Sequence, residues 1–201
     1  MAGNQQSNIW TPANIVTCTR IALMPVWLVI AEIVRTHGML NSGNVWAWTS
    51  LILYALISLT DKLDGYLARS RNEVTDFGKF VDPIADKMVV TCALLYLLEL
   101  GLCPSWAVLL VIAREFLVSG LRMVVAAKGV VVAASNLGKW KTATTMIAIC
   151  GLLLSVTLPL GNLTYGLQVA SFISMAVALA LTAWSGIEYF IKCWPYVAGT
   201  A

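Results

Sequence analysis

The apolar residues of the chain gather into six long runs separated by short polar or proline-marked stretches. The first covers about residues 13–35, and the second opens at Trp46 and Trp48 and runs into Asp61 and Asp64. The third starts near Asp82 and ends by Gly101, with Pro83 suited to a first helical turn. The fourth opens at Pro104 and Trp106 and reaches about Ala127, the fifth covers about 138–158, and the sixth covers about 167–192 and closes at Trp194 and Pro195. A helix needs about 20 apolar residues to cross a bilayer, so the pattern predicts six transmembrane helices. Ahead of them, Trp10, Thr11 and Pro12 end a polar leader, which predicts a short N-terminal interfacial helix with Trp10 at headgroup level. The expected fold is an all-α integral membrane protein, one domain over residues 1–201, with six helices around a polar cavity open to the cytosol and to the lipid leaflet.

Composition agrees with the pattern. The chain of 201 residues is 59% hydrophobic and 11% charged, where soluble domains run about 45–50% and about 25%. A net charge of +3 is too small to suggest a nucleic-acid partner. The five cysteines are scattered without a CxxC pair and read as small apolar residues, not as a disulfide framework or zinc site. The first run lacks a basic leader and contains Arg20, so it does not read as a cleavable signal. His37, the only histidine, falls in a loop and is expected to have no catalytic role, and Trp27 and Trp184 fall mid-span as packing residues.

The distribution of charge sets an orientation. Lys62, Arg69, Arg71, Lys79 and Lys87 lie at the junction of the second and third runs, Arg122, Lys128, Lys139 and Lys141 at the junction of the fourth and fifth, and Lys192 at the C-terminal end. The other loops offer only Arg35. By the positive-inside rule both termini and these junctions face the cytosol of a cell membrane.

Within this apolar chain the stretch DKLDGYLARSRNEVTDFGKFVDPIAD, residues 61–86, is anomalous. Asp61 and Asp64 are three apart and Asp82 and Asp86 four apart, so each pair shares a helix face. Four carboxylates near hydrocarbon are costly and repel one another. A charge-paired hairpin with Lys62, Lys79 and Lys87 would offset that cost, and so would a hard divalent cation, which takes carboxylate oxygens and keeps substrate phosphate as a further ligand.

The fixed positions Asp61-x2-Asp64-Gly65-x2-Ala68-Arg69-x8-Gly78-x3-Asp82-x3-Asp86 resemble the signature of the CDP-alcohol phosphatidyltransferase family. All of its fixed residues are present, a chance match on the order of one in 10^8. The resemblance implies a membrane enzyme that moves a phosphatidyl group from CDP-diacylglycerol to an alcohol and releases CMP. It also implies two divalent ions, Mg2+ with Mn2+ as the alternative. Asp61 and Asp82 would contact both metals, Asp64 one, and Asp86 the other while acting as general base. Gly65, Ala68 and Gly78 would make room for the cytidine and pyrophosphate, and Arg69 would grip the donor phosphate. Thr75, and Asn14 with Thr17 in the first run, match family positions that contact the nucleotide. A homodimer is implied too.

A second anomaly is IAREFLVSGLR followed by LGKWKT. It places Arg114, Glu115 and Arg122 deep in the fourth run and Lys139 and Lys141 at the start of the fifth. Buried cations of this kind bind an anion or pair with Glu115. The segment resembles the corresponding pattern of phosphatidylglycerophosphate synthases within the family, which implies sn-glycerol 3-phosphate as acceptor, its phosphate held by Arg114, Arg122, Lys139 and Lys141. Two other readings stand beside this one. A sister enzyme would use inositol phosphate, phosphatidylglycerol or serine, of which the cation cluster disfavours serine. An ion-coupled transporter would also carry intramembrane carboxylates, but repeated halves with broken helices, usual in such proteins, are not visible here.

Overall fold

The computed structural model describes residues 11–71, 75–130 and 136–198, giving the backbone alone at residues 13, 61–71, 76, 79, 136, 137 and 139. The described residues form α1 (Pro12–Thr36), α2 (Val45–Arg71), α3 (Asp76–Glu99), α4 (Ser105–Ala127), α5 (Asn136–Thr157) and α6 (Asn162–Ala198), with no strand among them. The all-α expectation holds, one helix to each apolar run. The expected interfacial helix at Trp10 lies outside the described residues.

Two boundaries differ from the sequence reading. The third helix begins at Asp76, not near Asp82, so Pro83 lies inside it. The start is set by Thr75, whose Oγ1 accepts from the Gly78 backbone N–H at 3.0 Å, the bond of an N-cap to its third helical residue. The sixth helix runs past Pro195 to Ala198, because Cys193, fully buried, holds its last turns against α4. The Lys128 amine also donates to the Tyr196 carbonyl, one of the terminal acceptors a helix leaves open. The ends of α3 and α4 repeat one device. Gly101 and Gly129 adopt φ of 73° and 76°, and the next residue's N–H returns to the carbonyl five back, Leu102 to Leu97 and Val130 to Val125.

Among the described residues three helical stretches are long and apolar enough to cross a membrane: Asn14–Thr36, Trp140–Thr157 and Asn162–Ala198. In α2 the described apolar part is Val45–Thr60. α4 is interrupted by Arg114, Glu115 and Arg122. At about 1.5 Å per residue, the 37 residues of α6 extend well beyond a hydrocarbon core of about 30 Å.

Contacts divide the chain into two compact units, Met1–Cys92 and Ala93–Ala201. In the first, α1 packs on α2 through Trp27, whose ring lies 5.2 Å from that of Tyr54 and whose Nε1 donates to the Ser50 carbonyl at 3.0 Å. In the second, α6 packs on both α4 and α5. At the α5–α6 crossing Gly151 faces Ser171 so closely that a Cβ on Gly151 would stand 2.2 Å from the Ser171 hydroxyl.

Around an apolar core, several polar side chains are buried and many apolar ones face outward. Thr17, Arg20, Thr145, Thr182 and Ser185 are buried, while Val29, Leu109, Phe116, Ile173 and Ile191 are exposed. Hydroxyls inside such helices return to their own backbone, as Thr145 does to the Lys141 carbonyl at 2.8 Å and Thr182 to the Ala178 carbonyl at 2.6 Å. Apolar side chains turned outward on every helix suit a lipid surround. Trp27 is a packing residue as expected, but Trp184 is 67% exposed and belongs to this outer surface. All five cysteines are unpaired.

Candidate active site

The first unit brings α1 and α3 together through polar side chains. Asn14, Thr17 and Arg20 follow one another at three-residue spacing, so they share one face of α1, and all three are buried. The Asn14 Nδ2 donates to Thr75 Oγ1 at 2.8 Å, and the Thr75 hydroxyl stands 3.1 Å from Asn14 Oδ1. Thr17 Oγ1 donates to Asp82 Oδ1 at 2.9 Å. One turn on, Arg20 Nη1 donates to Asp86 Oδ1 at 2.7 Å. These pairings advance in the same direction along both helices, so α1 and α3 run parallel here.

Thr75 and Gly78 therefore have local duties. Thr75 caps α3 and engages Asn14, and Gly78 is required by that contact, since a Cβ there would stand 2.7 Å from Asn14 Oδ1. Asp82 and Asp86 lie one turn apart on α3, and Thr17 and Arg20 of α1 donate to their Oδ1 atoms. A carboxylate has about four lone-pair sites, so the Thr17 donor leaves Asp82 able to take a cation, and paired carboxylates suit a hard divalent ion. The Asp86 side chain is 51% exposed while that of Arg20 is 1% exposed. Asp61, Asp64, Gly65, Ala68 and Arg69 all fall on α2, which continues as helix to Arg71, with Asp61 and Asp64 one turn apart. Their side chains lie outside the described residues.

Arg20 is the residue the sequence reading passed over. It was visible there as a lone charge in an apolar run, three residues from Thr17 on the same face as Asn14, and intramembrane charges mark functional positions.

The second unit builds a cationic group. Glu115 on α4 accepts from Arg114 Nη1 at 3.3 Å and from the buried Lys141 amine of α5. Arg114 Nη2 donates to Ser185 Oγ of α6 at 3.1 Å, and Arg122 Nε donates to Tyr189 Oη of α6 at 3.1 Å, with its guanidinium carbon 5.2 Å from the Tyr189 ring centre. Arg114 and Arg122 both act electrostatically on Lys141. Among the described residues, Arg114, Arg122 and Lys141 against Glu115 leave two positive charges, enough to balance the roughly two negative charges of a phosphate monoester near neutral pH. Lys139 sits on α5, one turn or less from Lys141, with its side chain outside the described residues. Sequence reasoning gave Arg114, Arg122 and Lys141 but not Ser185 or Tyr189. The signal for those two, a four-residue spacing of polar groups inside an apolar helix, was faint.

Comparison with known proteins bears on this arrangement. The family model for CDP-alcohol phosphatidyltransferases matches residues 10–184. The chain is 44% identical over 187 residues to the CDP-diacylglycerol–glycerol-3-phosphate 3-phosphatidyltransferase of Bacillus subtilis (strain 168), covering 90% of this chain and 94% of that protein. It is 38% identical over 183 residues to the protein of the same name from Rickettsia bellii (strain RML369-C), covering 91% and 95%. It is 36% identical over 187 residues to the "Probable phosphatidylglycerophosphate synthase" of Mycobacterium tuberculosis (strain ATCC 25618 / H37Rv), covering 93% and 83%. The match takes in Asn14, Thr17 and Arg20, the whole carboxylate stretch and the cationic group of α4 and α5, and the chain belongs to the CDP-alcohol phosphatidyltransferase family.

Proposed function

We propose that the protein is an integral membrane enzyme that transfers the phosphatidyl group of CDP-diacylglycerol to sn-glycerol 3-phosphate, giving phosphatidylglycerophosphate and CMP. The observation that carries this reading is 44% identity, over nine-tenths of both chains, to a relative whose name states that reaction.

The acceptor hydroxyl attacks the phosphorus bearing diacylglycerol, its proton passes to Asp86, and the bond to CMP breaks. Arg20 grips one oxygen of Asp86 at 2.7 Å, a charge-assisted distance, and so fixes the rotamer of the base. Thr17 does the same for Asp82. Asp61, Asp64, Asp82 and Asp86 would hold two divalent cations, Mg2+ or Mn2+, whose charge offsets that of the pyrophosphate and of the departing CMP. Arg69 holds donor phosphate, and Gly65, Ala68 and Gly78 keep the donor's approach open. Asn14, Thr17 and Thr75 shape the nucleotide end. Arg114, Arg122, Lys139 and Lys141 bind the acceptor phosphate, a role supported by the two-charge surplus of the described group.

The chain acts as one membrane domain. All six helices cross, around a polar cavity open to the cytosol. Both termini face that side, as the lysines and arginines at the 2–3 and 4–5 junctions favour. The donor's acyl chains stay in the bilayer, and two copies associate as a homodimer.

An acceptor screen tests the reading. Purified protein with CDP-diacylglycerol and Mg2+ is offered glycerol 3-phosphate, inositol 1-phosphate, serine or phosphatidylglycerol, and CMP is counted. Release with glycerol 3-phosphate alone, abolished by EDTA, is the expected result. Release with another acceptor overturns the acceptor, and release with none overturns the enzyme.

A further inference from the structure

In the second unit the cations of α4 do not stand by themselves. Arg114 and Arg122 are eight residues apart on α4, about two turns, and so face the same way. Each is met by α6. Ser185 and Tyr189, four residues apart and both buried, each accept one hydrogen bond at 3.1 Å, from Arg114 Nη2 and Arg122 Nε. Between them Gly186 has no side chain where Arg114 passes, and a Cβ there would come within 3.1 Å of Arg114 Cγ. The Tyr189 ring lies beneath the Arg122 guanidinium and belongs to one buried cluster with Val118, Val125 and Cys193. The ring is thus fixed by the core and the guanidinium by the ring.

The contacts hold both guanidiniums, and among the described residues they leave the end of Arg122 open. Arg122 spends Nε on Tyr189, which leaves its paired terminal nitrogens for an anion, the fork that matches phosphate. Arg114 spends one terminal nitrogen on Ser185 and the other on Glu115. A flexible arginine loses rotamer freedom when it closes on a ligand, and one already held has lost it beforehand.

We propose that Ser185, Gly186 and Tyr189 of α6 are positioning residues that hold Arg114 and Arg122 ready for the acceptor's phosphate, with Tyr189 setting the aim of Arg122. The proposal rests on the reading of Arg114, Arg122 and Lys141 as the acceptor-phosphate group. It extends that group to a helix on which neither the carboxylate signature nor the cation motif lies. Tyr189 and Ser185 touch arginines and not the reacting atoms, so their effect falls on acceptor binding and not on the donor.

The test measures KM for glycerol 3-phosphate, KM for CDP-diacylglycerol, kcat, and inhibition by inorganic phosphate against glycerol 3-phosphate, in the full-length protein. The variants are Tyr189→Phe, Tyr189→Leu, Ser185→Ala and Arg122→Gln, each with its thermal midpoint. Tyr189→Phe keeps the ring and its packing, so folding is preserved. It is expected to raise both the acceptor KM and the phosphate inhibition constant about fivefold, the worth of one ordinary hydrogen bond. Tyr189→Leu loses the ring as well and should raise both further, about twentyfold. The donor KM stays within about twofold, since no donor contact is removed. If Arg122→Gln raises the acceptor KM while Tyr189→Phe and Tyr189→Leu do not, the proposal fails and the acceptor group stands. If the Tyr189 variants raise both KM values alike and lower the midpoint, Tyr189 is structural only and the proposal fails. If Arg122→Gln itself spares the acceptor KM, the acceptor reading fails and takes the proposal with it.

Discussion

The Arg20–Asp86 pair is lopsided, and the two ways of breaking it should not be equivalent. The arginine side chain is 1% exposed and the aspartate 51%. Replacing Arg20 with Met removes the buried charge and fills its channel with an unbranched apolar chain. Asp86, half in solvent, keeps its hydration. Exchanging a buried ionic group for an apolar one of similar volume is often neutral in stability, so Arg20→Met should cost less than about 1.5 kcal/mol. Asp86→Ala does the opposite and strips the carboxylate from a guanidinium that water reaches poorly. Removing one partner of a buried pair costs about 3–5 kcal/mol, and water entering at the vacated half-exposed position favours the lower end. About 3 kcal/mol corresponds to a fall of about 6–12 °C in the thermal midpoint for a chain of this size.

Activity should rank differently from stability. With Arg20→Met the protein remains folded but Asp86 is no longer held at 2.7 Å, and a misaligned base costs about a hundredfold or more in turnover. Arg20→Lys restores the charge without the fork and should recover part of the rate. Thermal unfolding followed by tryptophan fluorescence, beside CMP release, gives both readings on one preparation. The reasoning is refuted if Arg20→Met unfolds as early as Asp86→Ala, since the asymmetry of burial then has no consequence. Wild-type turnover in Arg20→Met would likewise remove Arg20 from the positioning of Asp86.

Three further outcomes are expected. Gly151→Ala gains up to about 1 kcal/mol of helix propensity but meets Ser171 Oγ at 2.2 Å, so it should lower the thermal midpoint, and Gly151→Ala with Ser171→Ala should stand above Gly151→Ala alone. Thr75→Val removes the cap of α3 and the Asn14 partner together and should cost about 2 kcal/mol or more by denaturation, whereas Thr75→Ser, which keeps the hydroxyl, should cost under about 1 kcal/mol. Lys139→Ala should raise the KM for glycerol 3-phosphate far more than that for CDP-diacylglycerol, and an equal rise in both kinetic constants would exclude Lys139 from the acceptor group.

What could be read from the sequence depended on whether a signal was local. The six helices were legible because each apolar run is long. The start of α3 was not, because Asp76 to Lys79 is polar and the cap that begins the helix at Thr75 depends on a partner, Asn14, 61 residues away. The end of α6 was misjudged at Pro195 because a proline in sequence looks like a stop. Burial of Cys193 against α4 outweighs the one hydrogen bond that the ring forgoes. Trp184 was misplaced for another reason: an aromatic in mid-span has no sequence mark of whether it faces protein or lipid.

The proposed site residues divide along the same line. Asp82 and Asp86 announce themselves by spacing, and Arg114, Arg122 and Lys141 by their cost in an apolar run. Residues that act through another residue carry no such mark. Tyr189 is one aromatic among many in α6, and only its distance to Arg122 distinguishes it. Arg20 is the instructive intermediate. Its charge was visible, yet a single arginine in a helix has several outlets, and its partner lies 66 residues further on. What selects Asp86 is register. Asn14 meets Thr75, Thr17 meets Asp82, and the next position on that face of α1 can reach only the next turn of α3. Two parallel helices thus carry one continuous polar seam, and its charged end is where the proposed base is held.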